Sequence, residues 1–128
     1  MIEVELPYPP SVNHYWRRVG RRTLISRAGR QYRRRVCALL ATDGAKPLSG
    51  RLEVVVHVFP PDHRRRDLDN AMKALLDAIE HAGVYDDDGQ IDRLDIHREP
   101  VVPGGKVIVC IAEKPCRIAE TTRCSKRK

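Results

Sequence analysis

Leu68, Ala71, Met72, Leu75, Leu76, Ile79 and Ala82 recur every three or four residues. That is the period of one helix face, and it constrains the fold more than any other stretch. A helix over residues 68–81 must lay this stripe on a core built by the rest of the chain. Gly83 follows, where a left-handed residue ends a helix without a Cβ penalty. On the other side, Pro60-Pro61 closes the run 52–59, which is rich in β-branched residues. That run reads as a strand in the interior of a sheet.

The remaining parts are arranged around this strand and helix. Residues 2–6 alternate apolar and acidic side chains, the pattern of a strand with one buried face. Residues 7–13 hold three prolines and cannot continue it. They open a loop carrying Asn13, His14, Tyr15, Trp16, Arg17 and Arg18, and Gly20 permits a turn before a short strand near residues 23–25. Tyr15 and Trp16 among arginines fit either base stacking or a small core. Ser26 is placed to cap a helix over 28–42, with Tyr32, Val36, Leu39 and Leu40 as its apolar side. Residues 91–98 and 107–112 read as strands, joined at Pro103-Gly104-Gly105 most simply as an antiparallel hairpin. The expected fold is α+β: a single small domain over 1–114 with a mixed β-sheet packed against two main helices. Residues 115–128 form a basic tail expected to be disordered.

Charge is distributed unevenly. The 128 residues carry a net charge of +7, and 18 of the 24 basic residues are arginine. Arginine meets phosphate through planar, bidentate contacts, so this bias suits a nucleic-acid partner. Residues 1–66 are net +9 and residues 96–128 net +5, but residues 67–95 are net −7. A protein that only binds phosphate gains nothing from such an acidic island. One that holds a cation beside phosphate needs it. No apolar run approaches the roughly 20 residues of a membrane span. The first residues lack a secretory pattern, so a cytoplasmic protein without a membrane is expected. Cys37, Cys110, Cys116 and Cys124 form no CxxC pair and read as free thiols.

The strongest chemical signal is Arg64-Arg65-Arg66-Asp67-Leu68-Asp69-Asn70-Ala71-Met72-Lys73. Two steps along a helix rotate by about 200°, so Asp67 and Asp69 cannot share a face within a regular helix. They converge if the helix begins here, with Asp67 ahead of its first turn. Mg²⁺ is commonly held by one or two carboxylates together with water and substrate phosphate. Either aspartate could instead be an N-cap. Lys73, four residues after Asp69, serves equally as an exposed i,i+4 partner or as a cation beside a scissile phosphate. A second acidic group, Asp86-Asp87-Asp88-Gly89-Gln90, suits a cation or simply solvent. As an EF-hand it fails, because Val84 would fall at the first ligand position. The five histidines show no HExxH pattern, and His57 within the 52–59 strand reads as structural.

Together these residues resemble the RusA family of Holliday junction resolvases. The resemblance rests on Arg64-Arg65-Arg66-Asp67-Leu68-Asp69-Asn70, then Lys73, Ala82-Gly83, and Asp87-Asp88 with Gln90-Ile91. Pro9-Pro10-Ser11-Val12-Asn13 and Ser26-x-x-Gly29-x-x-Tyr32 add to it, and it runs from about residue 3 to residue 113. It implies a homodimer of bacterial or phage origin, acting at the nucleoid on branched DNA. Paired symmetric nicks would resolve four-way junctions in recombination and repair, with Mg²⁺ or Mn²⁺ as cofactor. It assigns the metal ligands and catalytic carboxylates to Asp67, Asp69 and Asp88, and a catalytic lysine to Lys73. Arg64, Arg65, Arg66, Asn13 and Asn70 would contact DNA. A nuclease for other branched DNA and a non-catalytic basic DNA-binding protein are the competing expectations.

Overall fold

The computed structural model describes residues 2–11, 15–41 and 47–114, and of Asp88 the backbone only. Two segments alternate buried and half-buried side chains along their whole length: β4 (Leu52–Phe59) and β6 (Lys106–Glu113). Strands this apolar on both faces need a neighbour on each side, and they take the interior of a four-stranded sheet. Its outer strands are β1 (Ile2–Pro7) and β5 (Ile91–Arg98), in the order β1-β6-β4-β5. β6 runs antiparallel to both β1 and β4, whereas β4 and β5 are parallel.

The expected hairpin between residues 91–98 and 107–112 is therefore not formed, because β4 lies between those two strands. β5 carries Asp92, Arg93, Asp95, His97 and Arg98 and is largely exposed, so it suits an edge. The connection from β5 crosses the end of β4 instead. Glu99 N–H donates to Val58 O and Val102 N–H to Pro60 O, both at distances below 3 Å. Pro60 ends β4 and leaves room for this crossing. Gly104 and Gly105, at φ 83° and 71°, then turn the chain into β6.

Both main helices pack on one sheet face. α1 (Arg27–Leu40) is capped by Ser26, whose hydroxyl accepts the Gly29 N–H at 3.0 Å. α2 (Met72–His81) begins later than the stripe suggests, because residues 68–71 form a 3-10 turn ahead of it. Of the stripe, Ala71, Met72, Leu75 and Ile79 are buried against Val54, Val56, Val58, Val107, Val109 and Ile111, joined by Ala74 and Ala78 from outside it, while Leu68, Leu76 and Ala82 are half-buried. On the opposite sheet face Val55, His57, Ile108 and Cys110 are half-buried. There His57 stacks on His97 at 5.1 Å and pairs with Glu99 at 2.8 Å.

The segment expected as a loop through Arg18 is partly a strand. β2 (Trp16–Val19) pairs antiparallel with β3 (Arg22–Ile25) as a separate two-stranded sheet. Gly20, at φ 61°, is the first of two turn residues, the place where a II′ hairpin turn needs glycine. Tyr15 anchors the base of this hairpin. Its fully buried ring donates its hydroxyl proton to Asp77 of α2, and Arg33 of α1 binds the same carboxylate oxygen at 2.8 Å. Burial, reinforced by Asp77, pushes the Tyr15 phenol well up, so it remains a donor at any ordinary pH. Gly29 lets α1 approach this corner. A Cβ there would lie 2.6 Å from Tyr15 O and 2.7 Å from Ile25 Cγ1.

Cys37 and Cys110 are free thiols. Asn13, Cys116, Cys124 and the tail 115–128 lie outside the described residues. Among the described residues no helix is long and apolar enough to cross a membrane.

Candidate active site

Beyond Pro60 the chain folds around one carboxylate. Asp62 Oδ1 accepts the Arg64 amide at 3.0 Å and the Arg66 guanidinium at 2.7 Å. Those bonds, that of Arg66 first, pull the Asp62 carboxyl down to a pKa of about 2. Arg66 also lies 5.9 Å from the centre of the Tyr8 ring, and its carbonyl accepts Arg98 at 2.9 Å. It is a half-buried brace for the connector, while Arg64 and Arg65 stand exposed.

This brace delivers Asp67 in extended conformation (φ −79°, ψ 142°) at the mouth of the 3-10 turn. The 3-10 start of the helix answers the spacing problem raised by Asp67 and Asp69: Asp67 precedes the first turn and Asp69 lies within it. Both are exposed, Asn70 is half-buried, and Lys73 is exposed on the first turn of α2. Neither aspartate acts as a cap: no side-chain capping bond is made at the 3-10 turn or at α2. Among the described residues neither has a hydrogen-bonded or ion-paired side-chain partner, and Lys73 does not pair with Asp69. Two carboxylates and one ammonium thus stand exposed within seven residues of chain, none paired with a side chain among the described residues.

The second acidic group is built by Gln90. Its carbonyl oxygen accepts the Asp86 and Asp87 amides at 2.8 and 2.9 Å, and its amide donates to Leu48 O and Gly50 O at 3.0 and 2.9 Å. Asp87 turns back on the Gly89 amide at 3.2 Å. Arg51 clamps the loop from outside, bonding Gly89 O at 2.9 Å and Asp92 at 2.5 Å. Asp88 opens the short turn Asp88–Gln90 in this frame.

The two acidic groups lie at opposite ends of the parallel pair β4–β5. Gln90 and Arg51 tie the second to the start of β4, whereas Arg66 and Arg98 tie the first to its end. The ten residues of α2 run between them, a length of about 15 Å. Carboxylates on one Mg²⁺ sit within about 2.1 Å of it. Asp67 and Asp69 therefore lie at the start of this crossover and the backbone of Asp88 at its far end.

Sequence reasoning missed Asp62, Arg51, Arg98 and the bracing role of Arg66. An acid two residues before a run of arginines was the available signal for the first. Gln90 was noticed only as part of a motif, and its four hydrogen bonds explain why a residue with both donor and acceptor stands there.

The family model for endodeoxyribonuclease RusA matches residues 7–112. The chain belongs to the RusA family. Curated RusA relatives agree. The crossover junction endodeoxyribonuclease of Enterobacteria phage HK97 is 45% identical over 109 residues, which span 84% of this chain and 91% of the relative. That of Escherichia coli K12 is 40% identical over 115 residues, spanning 86% and 92%, and that of Enterobacteria phage 82 is likewise 40% identical over 115 residues. The RusA match takes in every residue from Asn13 to Asp88 singled out above.

Proposed function

We propose that this chain is a divalent-cation-dependent endonuclease that resolves four-way DNA junctions by paired, symmetric nicks. The observation that carries the reading is the uncommitted pair Asp67 and Asp69 beside Lys73, in a chain whose relatives are named crossover junction endodeoxyribonucleases. Two exposed oxygen donors with no partner among the described residues fit a hard cation such as Mg²⁺ or Mn²⁺. When bound, the ion supplies Lewis-acid stabilisation of the scissile phosphate and a source of hydroxide near neutral pH. The chain's own residues do the rest. Asp67 and Asp69 hold and orient the ion's site. Lys73 places a positive charge where negative charge develops on the phosphate. Arg64 and Arg65 bind neighbouring phosphates, so affinity falls steeply with salt. Asn70, on the same turn as Asp69, contacts the DNA beside them.

Two copies act together. A four-way junction is nearly two-fold symmetric, so two nicks call for a C2 dimer. The distance between the acidic groups supports the same arrangement. If Asp88 serves the site formed by Asp67 and Asp69, it comes from the partner subunit. Mixing Asp69→Asn and Asp88→Asn chains tests this. Shared sites restore one intact site per mixed dimer and hence nicking activity, whereas sites contained within one chain leave every mixture inactive.

The competing reading, a non-catalytic DNA-binding protein, uses the aspartates as caps and solvated charges; neither makes a side-chain capping bond, which leaves it the solvated role alone. Asp69→Asn separates the two. The nuclease reading expects cutting to be lost with junction binding retained. The binding-protein reading expects no cutting by either form.

A further inference from the structure

The β2–β3 hairpin has two unlike faces. The register pairs Trp16 with Ile25 and Arg18 with Thr23 on one face, and Arg17 with Leu24 and Val19 with Arg22 on the other. Trp16 and Ile25 pack on the core, so theirs is the inner face. The outer face is therefore Arg17, Val19, Arg22 and Leu24, all exposed. Val19 and Leu24, at 42% and 39% exposure, are two of the four large exposed hydrophobic residues among those described.

Charge and rigidity both point this face at a polyanion. No Asp or Glu lies between Glu5 and Asp43, a span that holds nine arginines. Arg17 and Arg22 have no hydrogen-bonded or ion-paired side-chain partner among the described residues. Both ends of the hairpin are fixed: Tyr15 is bound to Asp77, and Ser26 N–H donates to Tyr15 O at 2.8 Å. A two-stranded ribbon of this kind is narrow enough to enter a DNA major groove, about 12 Å wide. Arginine alone suits any duplex. Aliphatic side chains interleaved with it suit DNA whose base faces are uncovered, because apolar side chains pack on unstacked steps. A four-way junction uncovers base pairs at its branch point.

We propose that the outer face of this hairpin is a branch-point contact: Arg17 and Arg22 grip backbone phosphates, while Val19 and Leu24 pack on the exposed base pairs. This rests on the junction-nuclease reading and adds to it a residue-level source of preference for branched over linear DNA.

The test uses the full chain, without divalent cation so that DNA stays uncut. The probes are a four-way junction bearing 2-aminopurine next to the branch point and a linear duplex of the same length. For the Val19→Ser/Leu24→Ser variant, junction affinity should fall about tenfold, duplex affinity should stay unchanged, and the 2-aminopurine response should be lost. For Arg17→Gln/Arg22→Gln, both affinities should fall and the salt slope should drop by about 2. Thermal unfolding of each variant is measured alongside, and the single variant Val19→Ser is used if the double variant unfolds early. Wild-type junction affinity and fluorescence response in a folded Val19→Ser/Leu24→Ser protein would overturn the proposal. So would a change in oligomeric state with DNA affinity intact, which would mean the face seats a second copy. A wild-type protein that binds no junction overturns the junction-nuclease reading itself, and this inference with it.

Discussion

Asp67 and Asp69 stand in the open with no partner among the described residues, whereas Asp62, Asp77 and Asp92 are each held by an arginine. That difference is why the pair is proposed as the cation site. Asp69→Asn should lower cleavage of a four-way junction by at least two orders of magnitude, comparable to the loss of other charge-stabilising groups. Junction affinity should be retained or rise, as measured by gel retardation. Asp62 acts differently, since its role is to fold the arginine connector. Its pKa is lowered in the folded state, from 3.8 to about 2, by Arg66 and the Arg64 amide. The stability it contributes is therefore present above pH 3.8 and is lost as pH falls towards 2. Unfolding midpoints over that window should fall less steeply for Asp62→Asn than for the wild type; parallel curves would remove Asp62 from the account. Gly29 offers a purely steric case. Gly29→Ala should destabilise the protein by about 1–3 kcal/mol, because its Cβ would meet Tyr15 O, a backbone atom, and Ile25 Cγ1, both within 3 Å.

At the scale of elements, α2 follows the turn that carries Asp69 and closes the core. Leu75 is fully buried in its middle. Leu75→Ala should cost about 2–5 kcal/mol in chemical denaturation and should leave the chemistry of the remaining folded protein unchanged. The acidic loop depends instead on one side chain. Gln90→Ala removes four hydrogen bonds, two that hold the loop's own Asp86 and Asp87 amides and two that join it to the segment before β4. It should speed amide exchange at Asp86 and Asp87 while leaving exchange in α2 near wild type. The helix and the interior strand were legible in sequence because apolar period reports burial directly. The hairpin at residues 16–25 was legible at its turn and second strand but not at its first strand, because Trp16, Arg17, Arg18 and Val19 follow no clean alternation and its outer face is exposed. The 3-10 turn at residues 68–71 was hidden for a related reason: its side chains obey the same stripe as the helix it precedes.

The whole molecule shows where local pattern stops. Apolar content marked residues 52–59 as an interior strand and 107–112 as a strand, but no local pattern says which strands adjoin. The simplest connection put residues 91–98 beside 107–112, and the sheet sets β4 between them. Strand order in turn decides the site. Because β4 and β5 are parallel and joined through α2, the ends of that crossover are held apart, with Asp67 and Asp69 at one and the Asp88 turn at the other. Sequence spacing grouped three aspartates, whereas the fold puts Asp67 and Asp69 at one end of the crossover and the Asp88 turn at the other. The most direct test of the central claim is incubation of a labelled four-way junction with the full-length protein, with and without Mg²⁺. Paired nicks at symmetric positions in opposing strands, formed only with the cation and absent from Asp69→Asn, are the predicted result. No cleavage with Mg²⁺ or Mn²⁺, or cleavage unchanged by Asp69→Asn, would contradict it.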